Sequence, residues 1–355
     1  MIQTIRKWLE FVLIAMVAAS SLAASSLAGA APPQRIVAVG DLHGDFDAWR
    51  QIALKANIID ARNRWAGGAS TLVQLGDIAD RGPDSLKIIT HLMKLQAQAA
   101  AAGGRVIVLV GNHEAMNMTG DLRYVSAGEY TAFANAQSSG LRERYFAATQ
   151  AAIAAAYRAK SPAMTDAAVH TAWFAQTPLG KLEHQAAWSP SGRLGRWTIA
   201  NPAVAKVGAT VFVHGGLSAA YADKPYREIN RSVAAALKAG DASDQSILYD
   251  PFGPLWYRGL VSRKDDADSG VTFPAGYPSI DEELTAGLRS TGARRMVIAH
   301  TPRLAGIEIS HNGQLVRIDT GISRYYGGKL SYLEIRGDQV MAYNFDRSPP
   351  VAPAH

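Results

Sequence analysis

The chain of 355 residues contains no cysteine. Disulfides and thiolate metal sites are therefore excluded, and any bound metal must take nitrogen and oxygen ligands. Charge is sparse as well. Only 19% of the residues are charged, and the basic ones behind the net charge of +6 form no polybasic tract. Nucleic-acid binding is not expected on that pattern, whereas mild basicity suits an anionic substrate. Internal repeats are missing too. Apolar residues are plentiful at 48%, enough for one large domain or one domain carrying an inserted lobe.

The first 30 residues read as a targeting segment. Arg6 and Lys7 precede the apolar stretch from Phe11 to Val17, and Ala28-Gly29-Ala30 supplies small residues for cleavage. The expectation is a signal peptide over 1–30 and a periplasmic protein. The alternative is an inner-membrane anchor, because no charge interrupts Phe11 to Gln34 and that span is long enough to cross a bilayer. An uncleaved signal is the only membrane association foreseen.

The chain is organised around Gly111-Asn112-His113-Glu114, which follows the apolar β-branched run Val106 to Val110. Such a run reads as a buried strand, and loops at strand ends are where open α/β folds place their chemistry. Two upstream stretches repeat the arrangement. Val37 to Val39 leads into Gly40-Asp41-Leu42-His43-Gly44, and Leu72 to Leu75 into Gly76-Asp77-Ile78-Ala79-Asp80-Arg81-Gly82. Downstream, Val211 to Val213 ends in His214, and Met296 to Ala299 in His300.

Between these stretches the pattern predicts helices over Asp45 to Ala56 and Pro83 to Ala102, a β-α-β-α-β opening with parallel strands. Residues 115–206 are Ala-rich, helical in tendency and without a strong strand before Thr210, and read as an inserted helical lobe. A helix is expected over Tyr226 to Ala239, and another begins at the capping box Ser279-Ile280-Asp281-Glu282. Asn312-Gly313 predicts a two-residue hairpin turn, and Gly337-Asp338 a second hairpin. Residues 351–355 are a tail to a domain spanning 31–350.

Asp41, His43, Asp77, Asn112, His214 and His300 form a set of imidazoles, carboxylates and one amide carbonyl. That mixture suits manganese, iron or zinc. Six ligands exceed what one open catalytic ion takes, so two divalent ions are expected, with Asp77 bridging and a shared water, held as hydroxide, attacking phosphorus in line. Manganese is the favoured metal. His113, oriented by Asp80, is suited to protonating a leaving oxygen. Arg81 offers a planar fork to phosphate oxygens, with Arg258 and Arg123 as further substrate-binding candidates and Asn112 facing substrate as well. An arginine among aromatics, as Arg258 is, stacks on them as readily as it binds phosphate.

The three motifs, with His214 and His300, resemble those of the calcineurin-like metallophosphoesterases, in particular the phosphoprotein phosphatase branch. Gly120-Asp121-Leu122-Arg123-Tyr124, Asp319-Thr320-Gly321 and Tyr326-Gly327-Gly328 are similar to the Shewanella-like protein phosphatase subgroup. The resemblance covers about residues 35–345. It implies an α/β (α+β) fold, a four-layer β-sandwich of two mixed sheets flanked by helices. It also implies a binuclear centre, with Asp41, His43 and Asp77 on one metal and Asp77, Asn112, His214 and His300 on the other. The implied activity is a metal-dependent phosphomonoesterase on phosphorylated proteins or small phosphoesters, with a phosphotyrosine preference. The alternatives are a Ser/Thr phosphoprotein phosphatase, a dinucleoside-polyphosphate hydrolase or phosphodiesterase, and, outside enzymology, a metal-binding sensor.

Overall fold

The computed structural model describes residues 34–263 and 271–348. The expected signal over 1–30 and the tail at 351–355 lie outside the described residues. Among the described residues no helix is long and apolar enough to cross a membrane.

The opening follows the expected order: β1 (Arg35–Val39), α1 (Phe46–Lys55), β2 (Thr71–Gln74), α2 (Ser85–Ala101) and β3 (Arg105–Val108). β1, β2 and β3 are parallel neighbours. A helical segment follows: α3 (Asn112–Thr119), α4 (Ala127–Phe133), α5 (Ser138–Lys160), α6 (Asp166–Gln176), α7 (Lys181–Trp188) and α8 (Arg193–Ala200). Then come β4 (Val204–Val207), β5 (Thr210–Val213), α9 (Tyr226–Ala239), α10 (Ile280–Thr291) and β6 (Arg295–Ile298). The chain ends in β7 (Glu308–Ser310), β8 (Leu315–Arg317), β9 (Leu330–Arg336) and β10 (Gln339–Phe345).

These strands make two mixed sheets, ordered β10-β9-β1-β2-β3 and β4-β5-β6-β8-β7. The side-chain period of two explains the layering. Ile36 and Ala38 of β1 face an inter-sheet core with Phe212, Val297 and Val316, whereas Val37 and Val39 face Trp49, Ile52 and Ile88 of the covering helices. On the far side, Val211, Val213 and Met296 meet Ile229, Leu284 and Leu288. The result is helix, sheet, sheet, helix. Each fully buried side chain of this kind contributes about 1.5–3 kcal/mol.

Three expectations need correction. The strand before the hub stops at Val108: Leu109 N–H still donates to Gln74 at 2.8 Å, but Val110 N–H turns to Pro202 at 3.0 Å. A strand precedes Thr210 after all. β4 is four residues long, interrupted by Lys206 and joined to β5 by a turn at Gly208 (φ 57°), so its apolar signal is weak. The hairpin at Asn312-Gly313 is not a two-residue turn. Pairing of Ser310 with Leu315 leaves four connecting residues, of which His311, Asn312 and Gly313 take positive φ. The second hairpin stands as expected, with Arg336 paired to Gln339 across Gly337-Asp338. The Ser279–Glu282 capping box also forms and starts α10.

Candidate metal centre and active site

All five motif stretches end at one edge of the sandwich, because β1, β2 and β3 are parallel, as are β5 and β6. The backbone there is unusual. Among the described residues nine non-glycine residues have positive φ, and His43, Asp77, Asp80, Arg81 and His300 are five of them. Such conformations cost energy and persist where surrounding contacts enforce them. Glu114 is one enforcer. Its buried carboxylate accepts N–H groups from Asp77 and Gly111 at 2.9 Å, Ile78 at 2.9 Å and Ala79 at 3.1 Å. It thereby clamps the second motif onto the third. Gly111 is required at the same junction, since a methyl group there would overlap the Asp77 carboxylate.

Two groups of buried side chains result. Ligand atoms of His43, Asp77 and His113 lie within 4.8 Å of one another, and so do those of Asp77, His214 and His300. Asp77 is the member they share. Asp41 borders the first, with Oδ2 at 3.9 Å from His43 Nε2, and its Oδ1 is 3.8 Å from His214 Nδ1. Asn112 Oδ1 lies 3.0 Å from His214 Nε2. The imidazoles are oriented through their other nitrogens: His43 Nδ1 is 3.1 Å from the Ala79 carbonyl, and His214 Nδ1 is 2.7 Å from that of Leu75. Such contacts turn each Nε2 toward the shared Asp77 carboxylate.

The residues fit divalent cations on three counts. Burial lowers His43 to about 3, so it is the neutral imidazole that metals bind. His300 Nε2 is buried and has no hydrogen-bond partner among the described residues. The buried carboxylates Asp41, Asp77 and Asp319 crowd together. Burial and then Asp319 push Asp41 up, and Asp319 itself is pushed up to about 6, first by burial. Charge of that density in a buried site calls for a cation.

His113, a member of the first group by distance, is also tied to a carboxylate outside it. Its Nδ1 is 2.6 Å from Asp80 Oδ2, and Asn117 Nδ2 donates to Asp80 Oδ1 at 2.9 Å. Burial alone would lower His113, but Asp77 and Asp80 outweigh it and raise the imidazole above its ordinary value.

A cavity of about 340 Å³ opens over this floor. Arg81, Arg258, Asn112 and His113 line it, with aromatic walls from Tyr124, Trp256 and Tyr326. Arg81 is caged: its guanidinium carbon lies 4.6 Å from the Tyr124 ring, 4.8 Å from Tyr325 and 5.1 Å from Tyr326. Arg258 faces the cavity and donates through Nη1 to the His300 carbonyl and to Thr301 Oγ1. Arg123 is different. It is held in a fork by Asp121, its side chain is 65% exposed, and it is not among the cavity-lining residues. Sequence reasoning expects the stretch 117–130 to line the site, which Tyr124 does, but it assigns no individual role to Glu114, Asp319, Tyr325 or Tyr326. Glu114 lies within the hub motif, and Asp319, Tyr124 and Tyr326 within subgroup motifs, so the signal was present without an assignment.

The profile of the calcineurin-like phosphoesterases matches residues 34–303. The chain belongs to this family. Within it, the Shewanella-like protein phosphatase 2 of Arabidopsis thaliana is 32% identical over 313 residues, covering 86% of this chain and 76% of that protein. The Shewanella-like protein phosphatase 1 of Plasmodium berghei is 26% identical over 87% of this chain and 73% of its own length. The fold is similar to that of the cold-active protein-tyrosine phosphatase of a psychrophilic Shewanella species, with a TM-score of 0.61, 24% identity, and 89% of this chain and 79% of that one covered. As a calcineurin-like phosphoesterase of the Shewanella-like group, the chain is a metal-dependent phosphatase that hydrolyses phosphoester bonds.

Proposed function

We propose that this phosphoesterase is a phosphoprotein phosphatase that prefers phosphotyrosine. The observation that carries the reading is the combination of two ligand groups sharing Asp77 with a cavity walled by Tyr124, Trp256 and Tyr326. Aromatic walls favour an aryl group over a small aliphatic one. The similarity to Shewanella-like protein phosphatases supports the phosphoprotein half of the reading.

Asp41, His43 and Asp77 would hold one divalent ion, and Asp77, Asn112, His214 and His300 the other. Bound there, manganese (or iron or zinc) would supply Lewis acidity and lower the pKa of the attacking water. The remaining work falls to the chain. Arg81 and Arg258 pair with phosphate oxygens and hold phosphorus in line. Arg81 is ready for this because tyrosine faces, not a carboxylate, hold it. As the bond from water oxygen to phosphorus forms and the bond to the leaving oxygen breaks, His113 Nε2 gives its proton to the leaving oxygen. Asp80 at Nδ1 holds the ring and stabilises its charged form.

The test compares kcat/KM of the Mn²⁺-loaded protein on matched phosphotyrosine and phosphothreonine peptides, with a dinucleoside polyphosphate as third substrate. A clear tyrosine preference is expected. Equal or better turnover of phosphothreonine or of the dinucleotide would refute it.

A further inference from the structure

A larger groove, of about 720 Å³, lies outside the metal site. It begins at Pro83 and Asp84, two residues beyond Arg81, and runs along one stripe of α2 through Lys87, Thr90 and Lys94. The loop from Arg62 to Arg64 also lines it. Ala132 of α4 lines it too, and Gly128 of the same helix packs on Pro83.

The lining carries four cations, Arg62, Arg64, Lys87 and Lys94, against the single carboxylate of Asp84. Arg64 is paired with Asp60 at 3.1 Å. Lys87 lies over the Phe46 ring at 4.1 Å, and Asp47, whose carboxyl feels Lys87, is held at 2.8 Å by Arg324. Arg62 and Lys94 have no carboxylate partner among the described residues. The groove is thus a trough with more cations than carboxylates, and its lining starts two residues along the chain from Arg81.

We propose that the groove docks an acidic segment of the phosphoprotein whose phosphoresidue occupies the metal site. The inference rests on the phosphoprotein reading above. Charge complementarity selects the occupant: a peptide with carboxylates meets the cations that lack partners. Helix rise sets Lys87 and Lys94 about 10 Å apart along the trough, so an extended peptide brings carboxylates about three residues apart to both.

The test uses two phosphotyrosine peptides that differ only in four glutamates against four glutamines, two on each side of the phosphotyrosine. For the Mn²⁺-loaded full chain, kcat/KM for the acidic peptide should be higher by roughly tenfold, the order that several exposed charge pairs give together. The gain should lie in KM and shrink at high salt. In Lys87→Glu/Lys94→Glu it should vanish while hydrolysis of p-nitrophenyl phosphate is unchanged. If that variant loses p-nitrophenyl phosphate hydrolysis, Lys87→Gln/Lys94→Gln carries the same prediction with smaller amplitude. Anisotropy of the labelled, unphosphorylated acidic peptide gives a readout independent of turnover. Equal kcat/KM for the two peptides, or an advantage that survives the lysine substitutions, overturns the docking groove but leaves the phosphoprotein reading standing. Displacement of the labelled peptide by inorganic polyphosphate but not by excess unlabelled acidic peptide reassigns the trough to a phosphate chain. Hydrolysis of p-nitrophenyl phosphate with no phosphopeptide turnover fails the phosphoprotein reading, and the docking proposal with it.

Discussion

His113 Nδ1 lies 2.6 Å from the buried Asp80 carboxylate, and the pair reaches the cavity through the imidazole. Asp77 also raises His113, but a cation bound at Asp77 would cancel that field, which leaves Asp80 as the partner that matters. The imidazolium is the form that protonates a leaving oxygen. Activity on poor leaving groups should therefore be full below the raised pKa and lost as pH climbs through it. In Asp80→Asn the loss should come at lower pH. His113→Asn should slow phenyl phosphate far more than p-nitrophenyl phosphate. Rate–pH profiles on both substrates check this, and an unmoved alkaline limb in Asp80→Asn would contradict the assignment.

Arg81 is held by three tyrosine rings and forms no ion pair among the described residues. Arg81→Lys keeps the charge but loses the planar fork. We expect kcat/KM to fall about 10- to 100-fold, the range of a lost charge-assisted pair. Truncation of Tyr325, which is 62% exposed, should give a smaller loss located in KM. Steady-state kinetics on one phosphotyrosine peptide tests both.

Glu114 lines no part of the cavity, yet it holds four backbone N–H groups of the second and third motifs. In Glu114→Gln the amide would face two of those donors with its own N–H groups. Leaving them unpaired should cost about 2–4 kcal/mol of stability and weaken metal affinity. Denaturant melts and metal titration report the two effects, and an unchanged melt would remove Glu114 from this clamp.

Phe212 is fully buried in the core between the sheets. Phe212→Ala should cost about 3–5 kcal/mol. Chemical denaturation measures it, and a cost near zero would contradict the sandwich packing.

Much of the site was legible because its chemistry hangs on strand ends. Gly-Asp and Gly-Asn pairs after apolar runs announce themselves in sequence, and the positive φ of Asp77 and His43 is part of the same local geometry. The partnership of His113 and Asp80 was also readable from residue types. What was not legible depends on contacts distant in the chain. The tyrosine cage joins Tyr124 to Tyr325 and Tyr326 around Arg81, and no periodicity reports that. Arg123 looked like a phosphate ligand by type, but Asp121, two residues away, takes its guanidinium. The short strand β4 was hidden because its hydrogen bonds to β5, rather than its composition, make it a strand.

The central claim is that Asp77 joins two metal positions. The decisive measurement is the metal content of chelator-stripped, Mn²⁺-reloaded wild type and of Asp77→Asn, read beside phosphotyrosine-peptide turnover. The account predicts two ions per chain in the wild type, and in the variant a loss of bound metal with activity nearly abolished. Two ions and wild-type turnover in Asp77→Asn, or full wild-type activity with a single ion, would contradict it.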